Sequence, residues 1–346
     1  MAASRGRRLA YGTARAMRVA WFAGQYLAAE RLTRASRGAI DRSNKGQGTG
    51  WRPLLAAIED LFARDLANIE AGLYAMPDDL ALRPGPALRN AVRFFQDLPQ
   101  VARRRREGAH AEVLDDEIRR IYPRYYLQNF HFQTDGWLSD RSAALYDHQV
   151  EVLFTGTGGA MRRQALPHLR TILAGRDLRA VRVADVACGT GGLIADMKAT
   201  WPRLDVTAVD LSPAYLRKAQ RRLEGRGRMH FVQAKAEALP FADASLDAIT
   251  CVYLFHELPP KIREGVAAEF ARVVKPGGGV VLVDALQAGD VPPFDGLLDF
   301  FPRAFHEPYF STYAQADLGA LFAAAGLRLA AAAPAFLSKA MRFTRD

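Results

Sequence analysis

The feature that most restricts this chain is a glycine-rich turn set between a short apolar run and a helix, with the same alternation continuing after it. Leu178–Val186 reads as a strand ending in Asp185, and Gly189-Thr190-Gly191-Gly192 follows, ahead of a helix to Thr200. Val206–Asp210 is a second strand, and Ser212 is a natural N-cap for a helix over Pro213–Leu223. Met229–Gln233, Ala248–Tyr253 and Val280–Asp284 are further strands. A helix over Ile262–Val274 separates the last two and stops at Lys275-Pro276-Gly277-Gly278. The chain ends with a helix over Tyr313–Ala325, Gly326, and two strands, Leu327–Ala331 and Ala340–Thr344, able to pair antiparallel. Strands alternating with helices predict an α/β fold with a doubly wound, mostly parallel sheet.

In such a sheet ligands sit at the carboxyl ends of the strands, where the glycine turn falls. Glycines let the backbone approach a ligand, and the helix that follows offers free N–H groups to an anionic one. A dinucleotide wants glycine at a third position, which here is Ile194. Asp210, about twenty residues on, suits ribose hydroxyls with either kind of nucleoside ligand.

Four segments carry a resemblance: DVACGTGG from Asp185, VTAVDLSPAYL from Val206, AEALPFADASLDAIT from Ala236, and RVVKPGGGVVLVD from Arg272. In this order and spacing, over roughly residues 180–285, they resemble the class I S-adenosylmethionine-dependent methyltransferases. The similarity is greatest to the branch of the ubiquinone and menaquinone C-methyltransferases. It implies a Rossmann-like, seven-stranded sheet whose last strand is antiparallel, carrying an N-terminal helical extension, with S-adenosyl-L-methionine as cofactor. Carried over by position, Asp185, Gly189, Thr190 and Gly191 line the methionine end, with Ala187 among the contacts. Asp210 binds the ribose hydroxyls beside Leu211, Ala236 and Glu237 lie along the adenine, and Tyr253 stands at the active-site rim. The family's acidic residue before the Ala-Glu pair is Lys235 here, which puts the adenine-amino contact in doubt.

Upstream, residues 1–36 read as an Arg-studded helix and 37–50 as a Gly-rich, flexible linker. Helical spacing resumes at Trp51 and again after Pro86, and Arg103–Arg106 reads as a solvated helix end or loop. Tyr122–Tyr146 is dense in aromatics and polar groups, too rich for a plain surface loop; in this fold such a stretch often covers the substrate. The expected division is therefore 1–50, a basic segment and linker; 51–164, a helical region with this aromatic lid; and 165–346, the methyltransferase domain. Net charge is +10, and residues 1–50 hold ten Arg or Lys against Glu30 and Asp41. That segment is expected to lie outside the catalytic core, and it either meets an anionic membrane or reflects an Arg-rich composition. The longest charge-free run near the start, Val19–Ala29, is too short to span a bilayer. Only Cys188 and Cys251 are present, giving no disulfide framework and no metal cluster. The expectation is a cytoplasmic protein able to associate with a membrane, with no metal.

Methyl transfer needs the nucleophile aligned, water excluded and, for some acceptors, a proton removed. Candidate proton acceptors are His256, directly after the fourth strand; His306 and Tyr309, in the aromatic insertion FFPRAFHEPYF; and His131, in the aromatic segment. The segment Tyr125–Trp137 and the insertion Phe300–Phe310 are expected to face each other across the substrate. The Asn/Asp-Pro-Pro-Tyr/Phe motif of amine methylation is absent after the fourth strand, which reads Tyr253-Leu254-Phe255-His256. A small, partly apolar or lipid-like acceptor is expected, and no nucleic acid. The alternatives are a methyltransferase-fold binding protein without catalysis and a dinucleotide-dependent oxidoreductase.

Overall fold

Side chains leave a strand alternately to its two faces, and β1 (Arg182–Val186) shows the consequence. Val183 joins one apolar cluster; Ala184 and Val186 join another on the opposite side. The structure, a computed structural model, describes residues 2–33, 50–113 and 117–346. With β2 (Asp205–Asp210), β3 (Met229–Gln233), β4 (Leu246–Val252), β5 (Val274–Ala285), β6 (Arg328–Ala335) and β7 (Ser338–Thr344), β1 forms a seven-stranded sheet in the order β3-β2-β1-β4-β5-β7-β6. The first five strands are parallel, and β7 runs antiparallel to β5 and to β6. This is the expected class I architecture, including the antiparallel last strand.

Several boundaries differ from the sequence reading. β1 begins only at Arg182, and residues 178–180 form a turn. β5 begins at Val274 and carries Lys275-Pro276-Gly277-Gly278 within it, at a register shift against Leu246 and Ala248 of β4. The expected helix over Tyr313–Ala325 is two helices, α11 (Phe310–Ala314) and α12 (Leu318–Ala324). Asp317 caps the second by accepting from the Ala320 N–H, which starts a new helix where the periodicity alone reads continuous.

One face of the sheet is covered by α6 (Ala165–Leu173), α7 (Gly192–Thr200) and α8 (Pro213–Leu223), the other chiefly by α9 (Pro260–Val273) and α12. Ser212 caps α8 as expected, accepting from the Tyr215 N–H. The upstream helices are α1 (Ala2–Thr33), α2 (Trp51–Glu70), α3 (Pro84–Glu107), α4 (Asp140–Leu153) and α5 (Gly158–Arg163). Residues 2–33 do not stand apart, contrary to expectation. Tyr11 is buried and donates to Asp65 of α2 at 2.5 Å. Arg18 is buried against Glu151 of α4 at 2.9 Å and donates to the Gly156 carbonyl. The physical reason is that these two polar side chains find partners deep in the helical layer, so the helix's inner face is committed. Most of the expected linker lies outside the described residues.

The arginine cluster also needs correction. It forms the last turn of α3, and Arg104 is buried rather than solvated, donating to Glu112, to Thr134 and to the Phe132 carbonyl. A short strongly basic run on a helix does not reveal which of its members turns inward.

Candidate functional site

Two cavities open at the carboxyl edge of the sheet. The smaller, about 100 Å³, lies at the ends of β1, β2 and β4. The turn after β1 is shaped by backbone pairing: Cys188 N–H donates to the Val209 carbonyl, Gly191 N–H to the Cys188 carbonyl, and Gly189 N–H to Asp210 at 2.8 Å. Asp210 ends β2 and takes a second bond from Ser212 N–H at 2.8 Å. Burial pushes its carboxyl up to about 6. Gly189, at φ +55°, faces open space where a side chain would stand. Gly191, at φ +76°, is required for packing: a Cβ there would lie 2.9 Å from Leu223 and 3.1 Å from Ala219.

Of the ten residues expected at the cofactor, Ala187, Gly189, Asp210, Leu211, Ala236 and Tyr253 line this cavity. Asp185, Thr190, Gly191 and Glu237 do not line it. Asp185 is buried beneath, accepting from Thr250 at 2.6 Å, and burial raises its carboxyl to about 7. Thr190 points to α4, donating to Asp147 at 2.6 Å, and so braces the turn from behind. Glu237 accepts from Tyr125 at 2.7 Å and ties the aromatic segment to the cavity's rim. Lys235 is exposed and also lies away from the lining. Tyr126, Trp137, Tyr146 and Tyr215 complete the walls; Trp137, Tyr146 and Tyr215 pack edge to face. The aromatic density of 122–146 was the sequence signal for the first three; Tyr215 lies in the segment from Val206.

The larger cavity, about 240 Å³, lies between α1, α3, α4 and α10 (Asp295–Ala304). Its walls are mainly apolar, including Phe94, Leu98, Val101, Leu298 and Phe301, and α1 contributes Tyr26, Ala29 and Thr33. Tyr146, Tyr253 and Glu257 line both cavities, so the two meet there. Tyr253, at φ +60°, is held by a hydrogen bond with Ser338 at 2.9 Å.

Polar groups gather at this junction. His256 follows β4, its Nδ1 held at 2.6 Å by Asp284, which is buried at the end of β5 and also accepts from the Phe255 and Ala285 N–H groups. Burial alone would lower the imidazolium; the Asp284 carboxylate overrides it and holds the pKa at about 9. His256 Nε2 lies 3.9 Å from Glu257, whose carboxyl is pushed up by burial and by the nearby Glu307 and Asp284. His131 lines the same cavity and meets Glu307 at 2.8 Å.

The aromatic segment and the insertion are in direct contact. Gln128 Oε1 accepts from His306 Nε2 at 2.7 Å and its Nε2 donates to the Tyr309 hydroxyl at 3.1 Å, while His131 N–H donates to the His306 carbonyl. These same bonds turn His306 and Tyr309 away from the junction. Neither lines either of these two cavities, and His306 stacks on His110, with burial and that neighbour lowering it to about 4. Of the four proposed proton acceptors, the structure brings only His131 and His256 to the cavity. Glu257, Asp284 and Glu307 were absent from the expected site, although the sequence pairs His with Glu at both 256–257 and 306–307.

The residues match a family model described as "Methyltransferase domain" over 183–278. The chain is 34% identical over 167 residues to the ubiquinone/menaquinone biosynthesis C-methyltransferase UbiE of Syntrophotalea carbinolica, covering 48% of this chain and 67% of that protein. It is 31% identical over 186 residues to the demethylmenaquinone methyltransferase of Beutenbergia cavernae, covering 54% and 71%. Against the fatty-acid O-methyltransferase of Mycolicibacterium smegmatis it is 31% identical over 138 residues, covering 40% and 49%. Other relatives are spanned over about half their length.

Proposed function

Since this chain belongs to the class I S-adenosylmethionine-dependent methyltransferases, we propose that it methylates a small amphipathic acceptor whose apolar tail occupies the larger cavity and whose polar head meets the junction. The observation that carries this reading is the wall shared by the two cavities at Tyr146, Tyr253 and Glu257. A donor in the smaller space and an acceptor in the larger one are thereby neighbours, which is what an in-line transfer requires.

The smaller cavity suits S-adenosylmethionine. Gly189 leaves room for it, and Asp210 stands at the end of β2, where ribose hydroxyls are taken in this fold. When bound, the cofactor supplies an electrophilic methyl group on a sulfonium. Asp210 and Leu211 hold the nucleoside, Ala236 flanks the base, and the turn at 187–191 meets the methionine end. Tyr125, Tyr126 and Trp137 roof the cavity and exclude water. His256, aimed by Asp284, contacts the acceptor's head and fixes its orientation, with His131 on the opposite side. The tail is an acyl or prenyl chain, supported by the apolar walls and by what two relatives are named for acting on: quinone precursors and fatty acids.

We also propose that α1 rests on anionic lipid. Its outer face exposes Leu9, Met17 and Leu27, with Arg5, Arg7 and Arg31 exposed towards its ends. Its inner face lines the larger cavity, so an acceptor dissolved in a membrane meets the mouth directly. No helix among the described residues is long and apolar enough to cross a membrane.

The test is transfer from labelled S-adenosylmethionine to a prenylated demethylquinone and to a long-chain fatty acid, each compared with its tail-less head. Tailed acceptors should be methylated at least tenfold faster at low concentration. Leu298→Trp, which fills the cavity, should abolish that preference and leave S-adenosylhomocysteine binding intact. Equal rates with and without a tail refute the assignment of the larger cavity.

A further inference from the structure

His131, Glu257 and Glu307 come from three distant parts of the chain, so no spacing in the sequence announces them. In the fold their ligand-capable atoms, one imidazole nitrogen and two carboxylate oxygens, all lie within 4.8 Å of one another. That is the spread reached by donors around one divalent ion bound at roughly 2.0–2.4 Å. Glu307 adds a separate observation. Its side chain is 0% exposed, its Oε1 lies 2.8 Å from His131 Nε2, and its Oε2 is buried with no hydrogen-bond donor among the described residues. A buried carboxylate oxygen with no donor carries a desolvation cost that a cation removes. His256 cannot serve it: its Nδ1 is committed to Asp284, and its Nε2 faces Glu257 at 3.9 Å.

We propose that His131, Glu257 and Glu307 bind a divalent first-row metal ion at the wall of the larger cavity. One imidazole and two carboxylates form a donor set that suits such ions and leaves further positions open. His131 and Glu257 both line the cavity, so the open positions face it. An oxygen atom on the acceptor's head fills one of them. That last step rests on the acceptor reading above; the ion site itself does not.

The experiment uses the full chain stripped with a chelator, without cofactor or acceptor. Mn²⁺ is titrated in, followed by calorimetry and by electron paramagnetic resonance. The site predicts one Mn²⁺ per chain and a higher melting temperature with the ion than without it. Glu307→Gln and His131→Gln should each weaken uptake at least tenfold. Glu307→Gln keeps the side chain's shape and removes its charge, so its ion-free melting temperature should equal or exceed that of the parent. This separates loss of the site from loss of the fold. No stoichiometric uptake, or uptake that neither substitution weakens, overturns the proposal. S-adenosylhomocysteine binding is measured on the same samples. Binding of S-adenosylhomocysteine without ion uptake refutes the ion site alone. Ion uptake without S-adenosylhomocysteine binding supports the ion site and counts against the proposed cofactor site in the smaller cavity.

Discussion

Asp65 offers the sharpest test of how the N-terminal helices are held. It is fully buried and accepts four hydrogen bonds: from Tyr11 at 2.5 Å, Tyr74 at 2.6 Å, and Arg163 Nε and Nη2 at 3.0 and 2.8 Å. Those donors belong to α1, to the turn after α2, and to α5. Among the described residues, Asp65→Ala leaves the Arg163 guanidinium, also buried, with Asp79 at 3.3 Å as its remaining hydrogen-bonded carboxylate. Removing one partner of a buried ion pair costs about 3–5 kcal/mol. Two stranded hydroxyls add about 1 kcal/mol each if water does not reach them. A loss of about 5–7 kcal/mol is a large part of the ~5–15 kcal/mol that holds a domain folded. Urea unfolding followed by tryptophan emission and by circular dichroism measures it. The companion variant Asp65→Leu with Arg163→Met removes both charges and should recover at least about 2 kcal/mol, because no uncompensated charge stays buried. If Asp65→Ala costs under about 1 kcal/mol, or if the double variant is as unstable as the two single losses added, the latch reasoning fails.

Asp210→Ala should weaken S-adenosylhomocysteine binding about 100-fold, the equivalent of roughly 3 kcal/mol from two charge-assisted bonds to the ribose; calorimetry showing less than a fivefold change would contradict its role. Burial raises Asp185 from its ordinary 3.8 to about 7, so the folded chain keeps a proton that the unfolded chain has lost, and stability should fall as pH rises from about 4 to about 7 and then level. Asp185→Asn should flatten that fall in urea midpoints measured across the range, and an unchanged slope refutes it. His256→Asn should cut turnover by about 100-fold while S-adenosylhomocysteine affinity stays within a few-fold, a split that simple loss of packing does not produce. Leu9→Glu with Leu27→Glu should weaken flotation with anionic vesicles, more visibly at low salt; equal flotation with the parent chain removes α1 from the membrane.

The sheet was legible because its signals are local. A run such as Val206–Asp210 carries its own period, and Ser212 marks the next helix without reference to anything distant. Asp210 and Gly189 were found because a turn and a strand end place them wherever the chain goes next. The larger cavity was not legible. Leu98 of α3 and Leu298 of α10 look like ordinary core residues in sequence, since an apolar position facing a cavity and one facing a neighbour have the same periodicity. His306 and His131 were equal candidates by composition. The hydrogen bond to Gln128 and the stacking on His110 set His306 apart, and the first of these contacts spans 178 positions. Arg104 was read as solvated for the same reason: its partners Glu112 and Thr134 lie beyond the helix that carries it.

The contacts between the aromatic segment and the insertion join residues 178 and 181 apart in sequence. Every strand pairing that builds the parallel part of the sheet closes a shorter loop than these do. Closing long loops costs more entropy and comes late. The larger cavity should thus assemble after the sheet that carries the smaller one, and be the first part to open when the native chain breathes. Amide exchange in residues 128–132 and 305–310 should accordingly outpace exchange in β1, β4 and β5, with the sheet still intact while that cavity is undone.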